Sequence, residues 1–221
     1  QPICGDAITL GSKKRIIFQP YFLDYVIQTI ITQILTEQCD TQFSPDLYSY
    51  RKGKSTHQSV RNICHQLHQH QPTSATHSGL YLYQADLRHY AESISTQPNC
   101  FLWKRVESML TRIGLMPMTP YESYLINRAI SPEIDPKSPY QPHRHYGIVQ
   151  GLPLVNWIYN VYLDSMDHVF HQIPNLFYTR YCDDLLLMSP SHTDALKAID
   201  HLKEIISTTD ETELNQDLKT M

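Results

Sequence analysis

Apolar residues along this chain recur with two periods, and the switches between them mark its elements. Residues 3–18 alternate as two strands around a turn at Gly11-Ser12, the second running Arg15-Ile16-Ile17-Phe18. Pro20 opens a helical pattern in which Val26, Ile27, Ile30, Ile31, Ile34 and Leu35 form one stripe, expected to be core. A second helix is expected from Ser55 or Thr56, either of which suits an N-cap, to about residue 70. After a polar loop over 71–79, Leu80 to Asp86 alternates as a strand that ends in a carboxylate. Residues 87–95 read as a short helix, and 100–112 as a longer one with Phe101, Val106, Met109 and Leu110 inward. The proline-rich stretch 116–145 reads as loops around a helix near 121–129. A long apolar helix is expected from about Leu154 to Phe170, then a hairpin of an aromatic strand (177–181) and an apolar one (185–188). Residues 192–207 form an amphipathic helix with Ala195, Leu196, Ile199, Leu202 and Ile206 on one face.

Composition is that of a soluble globular protein: 221 residues, 41% hydrophobic and 18% charged. No run of 18 apolar residues suggests a membrane span, and the N-terminus does not resemble a signal peptide. The five cysteines (4, 39, 64, 100, 182) are an odd set without a CxxC pair, which points to a reducing cytoplasm over a disulfide framework or structural zinc. The chain begins at Gln1 without an initiator Met, as a fragment would. The net charge of −4 is uneven: residues 1–150 are net +3 and residues 151–221 net −7. A phosphate-binding surface is therefore expected in the N-terminal part or in a segment outside this sequence.

The acidic part carries the most specific chemistry. Asp183 and Asp184 sit side by side between the two strands of the expected hairpin. Burying adjacent carboxylates is costly unless a cation neutralises them, and a divalent metal does so. A solvated Asp-Asp turn is the plainer reading of two acids alone. Asp86, 97 residues upstream at a strand end, supplies a third carboxylate that an antiparallel sheet would bring alongside. Three hard oxygen donors suit Mg²⁺ or Mn²⁺ and not zinc. The basic turn Lys13-Lys14-Arg15 and the run Tyr50-Arg51-Lys52-Gly53-Lys54-Ser55-Thr56 each read as solvated local structure or as a phosphate contact.

Taken in order, these segments resemble a reverse transcriptase of the bacterial type, related to those of group II introns, retrons and phage-defence systems. Lys13-Lys14-Arg15-Ile16-Ile17 is similar to the family's first finger motif, and Tyr50 to Thr56 to the basic motif that follows. Ala85-Asp86-Leu87-Arg88-His89-Tyr90-Ala91 resembles motif A. Gly147-Ile148-Val149-Gln150-Gly151-Leu152-Pro153-Leu154, with Asn160 to Asp167, resembles motif B. Tyr181-Cys182-Asp183-Asp184 resembles motif C, and Leu214-Asn215 with Lys219-Thr220 motif D.

The resemblance implies an α+β right-hand polymerase fold: an antiparallel palm sheet packed on helices, without a thumb in this segment. Fingers would cover 1–80, palm 81–96 and 145–221, and a fingers–palm connection 97–144. It further implies that Asp86, Asp183 and Asp184, with the backbone carbonyl of Leu87, hold two Mg²⁺ ions, or Mn²⁺ in their place. Lys13, Lys14, Arg15, Arg88, Tyr90, Ala91, Gln150 and Gly151 would bind the nucleotide, and Arg51, Lys52 and Lys54 the nucleic acid. Lys219 would protonate the leaving pyrophosphate, or is an ordinary solvated lysine. The implied partners are an RNA template, a DNA or protein primer, dNTPs, and an associated noncoding RNA or effector protein, with no membrane.

Two positions depart from the pattern. The family usually has an aromatic residue five positions after the motif A aspartate, under the sugar; here that position is Ala91, preceded by Tyr90. Weakened exclusion of ribonucleotides is the expected consequence. Trp157 stands where many relatives have small residues, and is read as core over a stacking platform. The expected activity is RNA-directed DNA polymerisation in a bacterial defence or retroelement system. The alternatives are a template-independent or protein-primed polymerase of the same fold, and a non-catalytic nucleic-acid-binding scaffold.

Overall fold

The computed structural model describes residues 2–10, 13–70, 79–87, 89–141, 146–208 and 216–217. Along the chain these form β1 (Cys4–Leu10), β2 (Lys13–Gln19), α1 (Phe22–Cys39), α2 (Thr56–Gln69), β3 (Tyr81–Leu87), α3 (Tyr90–Ser93) and α4 (Phe101–Arg112). There follow α5 (Pro120–Ile130), α6 (Val155–Tyr162), α7 (Asp164–His171), β4 (Phe177–Tyr181), β5 (Asp184–Ser189), α8 (His192–Thr208) and β6 (Gln216–Asp217). The chain divides into two compact units, Gln1–Gln42 with Ala91–Tyr162, and Phe43–Tyr90 with Leu163–Met221. Among the described residues no helix is long and apolar enough to cross a membrane.

In the first unit β1 and β2 pair antiparallel, from Cys4 opposite Gln19 to Leu10 opposite Lys13. The turn expected at Gly11-Ser12 lies outside the described residues. Helix α6 is largely apolar, and Val155 and every residue from Trp157 to Tyr162 are buried, Asn160 among them; only Asn156 is exposed. A helix of that kind is a core element, and α1, α4 and α5 pack on it. Trp157 is core, as expected. Thr119 caps α5: its Oγ1 accepts from the Glu122 backbone N–H while the Glu122 carboxylate accepts from the Thr119 N–H, and Pro120 follows in the first turn.

One expectation for this unit fails. Of the six residues in the α1 stripe only Leu35 is buried; Val26, Ile27, Ile30 and Ile34 are 37–51% exposed. Helical spacing identifies an apolar face but not what covers it. Among the described residues this face is covered only in part.

The second unit is built on a four-stranded sheet in the order β4-β5-β3-β6, with every neighbouring pair antiparallel. Alternation along β3 buries Tyr83, Ala85 and Leu87 on one face and leaves Leu82, Gln84 and Asp86 half-buried on the other. Helices α7 and α8 pack on this sheet, with the Phe170 ring stacked 5.0 Å from that of Tyr178. On the opposite face of β4, α2 meets Thr179 through a 3.0 Å hydrogen bond between the Ser59 and Thr179 hydroxyls. Ser55 caps α2, accepting from the Gln58 N–H at 3.3 Å.

Two details differ from the sequence pattern. The long helix expected up to Phe170 is two helices, because Leu163 leaves helical geometry (φ −101°, ψ 4°). Asp164 and Asp167 then fall in the first turn of α7, where a helix N-terminus favours acids. On α8 the buried positions are Ala195, Ala198, Leu202 and Ile206, whereas Leu196 faces outward. The arc facing the sheet is therefore rotated toward Ala198, a small residue that allows close approach.

Candidate active site

The β4–β5 hairpin and the end of β3 bring three carboxylates onto one end of the sheet. Asp86 stands directly opposite Asp184 in the β3–β5 register, so both side chains project from the same face. Tyr181 pairs with Asp184 across the hairpin, leaving Cys182 and Asp183 as a two-residue turn. The Asp183 carbonyl accepts from the Leu87 N–H at 3.2 Å, which ties the turn to the strand that carries Asp86. Asp86 and Asp183 are half-buried and Asp184 is exposed, so the acids stand at the surface and not in the core. On its other side Asp86 pairs in register with Asp217 of β6, an acid that sequence reading did not single out.

The turn is held from behind. Cys182 has a positive φ of 59°, uncommon for a residue with a side chain. Its N–H donates to the Ser49 Oγ at 3.0 Å, its carbonyl accepts from the Arg180 Nη1 at 2.9 Å, and the Tyr50 hydroxyl donates to its Sγ at 3.8 Å. Burial, and secondly the Asp183 charge, push the Cys182 thiol up to about 11.

Arg180 points to the opposite face of the sheet, where neither it nor Asp167 has solvent exposure. Its Nε and Nη2 donate to the two Asp167 oxygens at 2.7 and 2.6 Å, and the Tyr178 hydroxyl donates to Asp167 Oδ1 at 2.7 Å. Burial alone would lower the Arg180 pKa; the Asp167 carboxylate outweighs it and holds the guanidinium charged, with a pKa above its ordinary value. The backbone of Arg180 is also engaged: its N–H donates to the Asp46 carbonyl at 3.0 Å and its carbonyl accepts from the Tyr48 N–H at 3.0 Å.

Ser49, Asp167, Tyr178 and Arg180 were not assigned roles by sequence reading. The available signal was charge in two otherwise apolar elements, Asp164 and Asp167 among the residues before Phe170 and Arg180 in an aromatic strand. An isolated charge in such a setting needs a partner.

A divalent ion suits this end of the sheet by its chemistry. Two like charges opposite each other on neighbouring strands repel, and the donors are all hard oxygens, from Asp86, Asp183, Asp184 and the Leu87 carbonyl. Among the described residues no group of three or more His, Cys, Asp or Glu side chains is drawn together closely enough to hold a metal ion by itself. The set is a cross-strand pair, Asp86 and Asp184, with Asp183 in the adjoining turn.

The remaining sequence candidates have varied surroundings. Tyr90 is buried and within electrostatic reach of Arg180. Arg51 donates to the Ser44 and Leu47 carbonyls at 2.6 and 3.2 Å and stands over the Phe43 ring. Lys54 donates to the Pro45 carbonyl at 2.9 Å and lies over the Tyr48 ring. Both cations thus brace the 43–48 segment, which is bridged to Arg180 through Leu47; Lys52 is exposed.

In the first unit, Arg15 is exposed on β2 opposite Ile8. Lys13 and Lys14 begin β2, with side chains outside the description, and Arg88 and Lys219 lie outside the described residues altogether. Ala91 is buried and its carbonyl accepts from the Ile148 N–H at 2.8 Å. The Gln150 carbonyl accepts from the Phe18 N–H at 2.8 Å. Gly151, at φ +105°, lies against the β2 backbone so closely that an added Cβ would meet the Phe18 oxygen at 2.5 Å.

Comparison with known proteins agrees with this architecture. The family model described as reverse transcriptase (RNA-dependent DNA polymerase) matches residues 10–217. No curated protein sequence matches the chain. Among solved structures, apo telomerase from Candida tropicalis truncated from its C-terminal domain superposes with a TM-score of 0.67 at 13% identity, over 96% of this chain and 47% of that one. Telomerase from Candida albicans in complex with a TWJ fragment of telomeric RNA superposes with a TM-score of 0.62 at 14% identity, over 94% and 40%. The chain thus spans about half the length of these structures or less. At such identity they show a shared fold: the fingers–palm arrangement of helices and antiparallel sheets expected from the motifs. With the family model covering nearly all of its length, the chain belongs to the reverse transcriptase (RNA-dependent DNA polymerase) family.

Proposed function

We propose that this chain is the nucleotidyl-transferring part of an RNA-directed DNA polymerase of the bacterial type, serving a defence or retroelement system. The observation that carries the chemical half of this reading is the Asp86–Asp184 cross-strand pair with Asp183 in the adjoining turn. Asp86, Asp183, Asp184 and the Leu87 carbonyl would hold two Mg²⁺ ions, with Mn²⁺ as a substitute. Bound there, the ions supply Lewis acidity toward a primer hydroxyl and charge neutralisation toward a departing pyrophosphate.

Other roles rest on motif position alone. Lys13, Lys14, Arg15 and Arg88 balance the triphosphate charge, and Gln150 and Gly151 face the base. Tyr90 and Ala91 lie at the sugar, and Lys219 donates the proton to pyrophosphate. Lys52, exposed and with no hydrogen bond or ion pair described for it, is the cation of the 51–54 run best placed for a nucleic-acid backbone. An RNA template, a DNA or protein primer and an associated RNA are the partners this reading requires, and the cytoplasm its compartment.

Primer extension by the full-length protein tests the activity. Template-directed dNTP incorporation on RNA with Mg²⁺ or Mn²⁺, abolished by Asp183→Ala, is the expected result. Incorporation that ignores the template would support the template-independent alternative. Absence of both incorporation and any thermal response to metal would overturn the enzymatic reading in favour of a scaffold. Sequencing of co-purifying nucleic acid tests the biological setting: a defined noncoding RNA is expected.

A further inference from the structure

Arg180 and Asp167 are fully buried ions, and a buried ion pair is a poor way to gain stability, since apolar residues of similar volume often serve as well. The geometry explains the pair better by what the third branch of the guanidinium does. Nε and Nη2 are spent on the two Asp167 oxygens, and Tyr178 fixes the same carboxylate. Nη1 is thereby aimed at the Cys182 carbonyl, which it meets at 2.9 Å. Cys182 is the residue with positive φ that turns the chain immediately before Asp183. A flexible or singly anchored donor could not hold that carbonyl in one orientation; a planar fork clamped on two atoms can.

We infer that the Asp167–Arg180 pair is a positioning device for the carboxylate turn. It acts from the opposite face of the sheet, through the Cys182 carbonyl, to hold Asp183 and Asp184 against Asp86. Neither residue touches the reacting atoms. The inference rests on reading the turn as metal-holding, and Cys182 gives a readout that does not.

The test compares wild type, Arg180→Met and Arg180→Lys in the full-length protein. In metal-free protein, alkylation of Cys182 by iodoacetamide, compared at equal thiolate fraction because loss of the Arg180 charge by itself leaves less thiolate, should run several-fold faster in Arg180→Met as the released turn exposes the thiol; an unchanged rate overturns the inference. Mn²⁺ titration followed by electron paramagnetic resonance should show affinity weakened about 10–100-fold in Arg180→Met, the range for losing a group that orients metal ligands. Arg180→Lys, which keeps the charge beside Asp167 without the fork, should recover melting temperature but not Mn²⁺ affinity. Full recovery of affinity by lysine would place the effect in the buried charge and overturn the role of the Nη1 bond. If Arg180→Met does not fold, Arg180→Met/Asp167→Leu, which removes both charges, takes its place with the same expected losses. Wild-type protein that binds no Mn²⁺ while Arg180→Met still speeds Cys182 alkylation would sink the metal reading and leave the positioning role standing.

Discussion

Asp86 and Asp184 face each other across neighbouring antiparallel strands, one contributed by β3 and the other by the hairpin strand β5. Like charges so placed cost the fold a few tenths to about 1 kcal/mol without a cation. Asp86→Asn is therefore expected to leave the metal-free melting temperature unchanged or slightly raised. Mg²⁺ should raise the melting temperature of wild type, because it binds the native state, and not that of Asp86→Asn. Thermal scans with and without Mg²⁺ measure both.

Gly151 has no room for a side chain. A Cβ there would stand 2.5 Å from the Phe18 oxygen, and its φ of +105° is unfavourable for an L side chain. Gly151→Ala should lose about 2–4 kcal/mol of stability from overpacking and backbone strain together. Gly147→Ala is the control: φ is +89°, but the nearest atom to its Cβ is 3.5 Å away, so only strain of about 1–2 kcal/mol applies. Denaturant titration separates the two; equal losses would show that the approach of β2 is not the cause.

Tyr83 buries a hydroxyl that has no hydrogen-bond partner among the described residues. Tyr83→Phe should be neutral or stabilising by about 1 kcal/mol, since no bond is lost and an unsatisfied group is removed. The same burial pushes the Tyr83 pKa up to about 12 from an ordinary value near 10. A tyrosine whose folded pKa is raised contributes stability that is intact below its unfolded pKa and lost as pH rises through the folded one. Stability of wild type should thus fall between about pH 10 and 12 by an increment that Tyr83→Phe lacks.

Burial pushes the Cys182 thiol in metal-free protein up to about 11, from an ordinary thiol value near 9, while Cys64 is exposed to reagent. The thiolate is the reactive form, and two pKa units correspond to about 100-fold less of it at pH 8. Cys182 should be alkylated far more slowly than Cys64 at that pH, with a rate that climbs until about pH 11. Peptide mapping after timed alkylation reads both sites.

On the proposed reading Ala91 takes the place of the family's aromatic residue under the sugar, and a methyl is too small to block a 2′-hydroxyl. A pocket that does not clash with an added hydroxyl discriminates against it by about 100-fold or less. Extension with ATP and dATP in parallel should give a preference for dATP within that range. Near-complete rejection of ATP would show that another side chain closes the gap.

Much of this was legible in the chain itself, for identifiable reasons. Period-two alternation placed β3, and apolar flanks around Asp183-Asp184 placed the hairpin, because a strand's pattern needs only its own residues. Helix α2 was legible through its cap at Ser55 or Thr56, since caps are local, and α5 only as a short helix among prolines. The α1 stripe misled because amphipathicity records a preference for burial without recording whether a neighbour exists to provide it. The break at Leu163 was missed although the chain turns polar directly after it, at Asp164-Ser165, because polar residues at helical spacing also fit one amphipathic helix.

The site divides along the same line. Sequence alone determined the family and the candidate residues: three carboxylates in an order and spacing that belong to reverse transcriptases. Only the tertiary structure decided their register, with Asp86 opposite Asp184 and the Asp183 carbonyl bonded to Leu87. It alone revealed that the turn is gripped through Cys182 by an arginine clamped on a buried aspartate. The clamp joins Arg180 of the sheet to Asp167 of a helix, and the sequence marks only that each is a charge in an apolar setting, not which partner it finds.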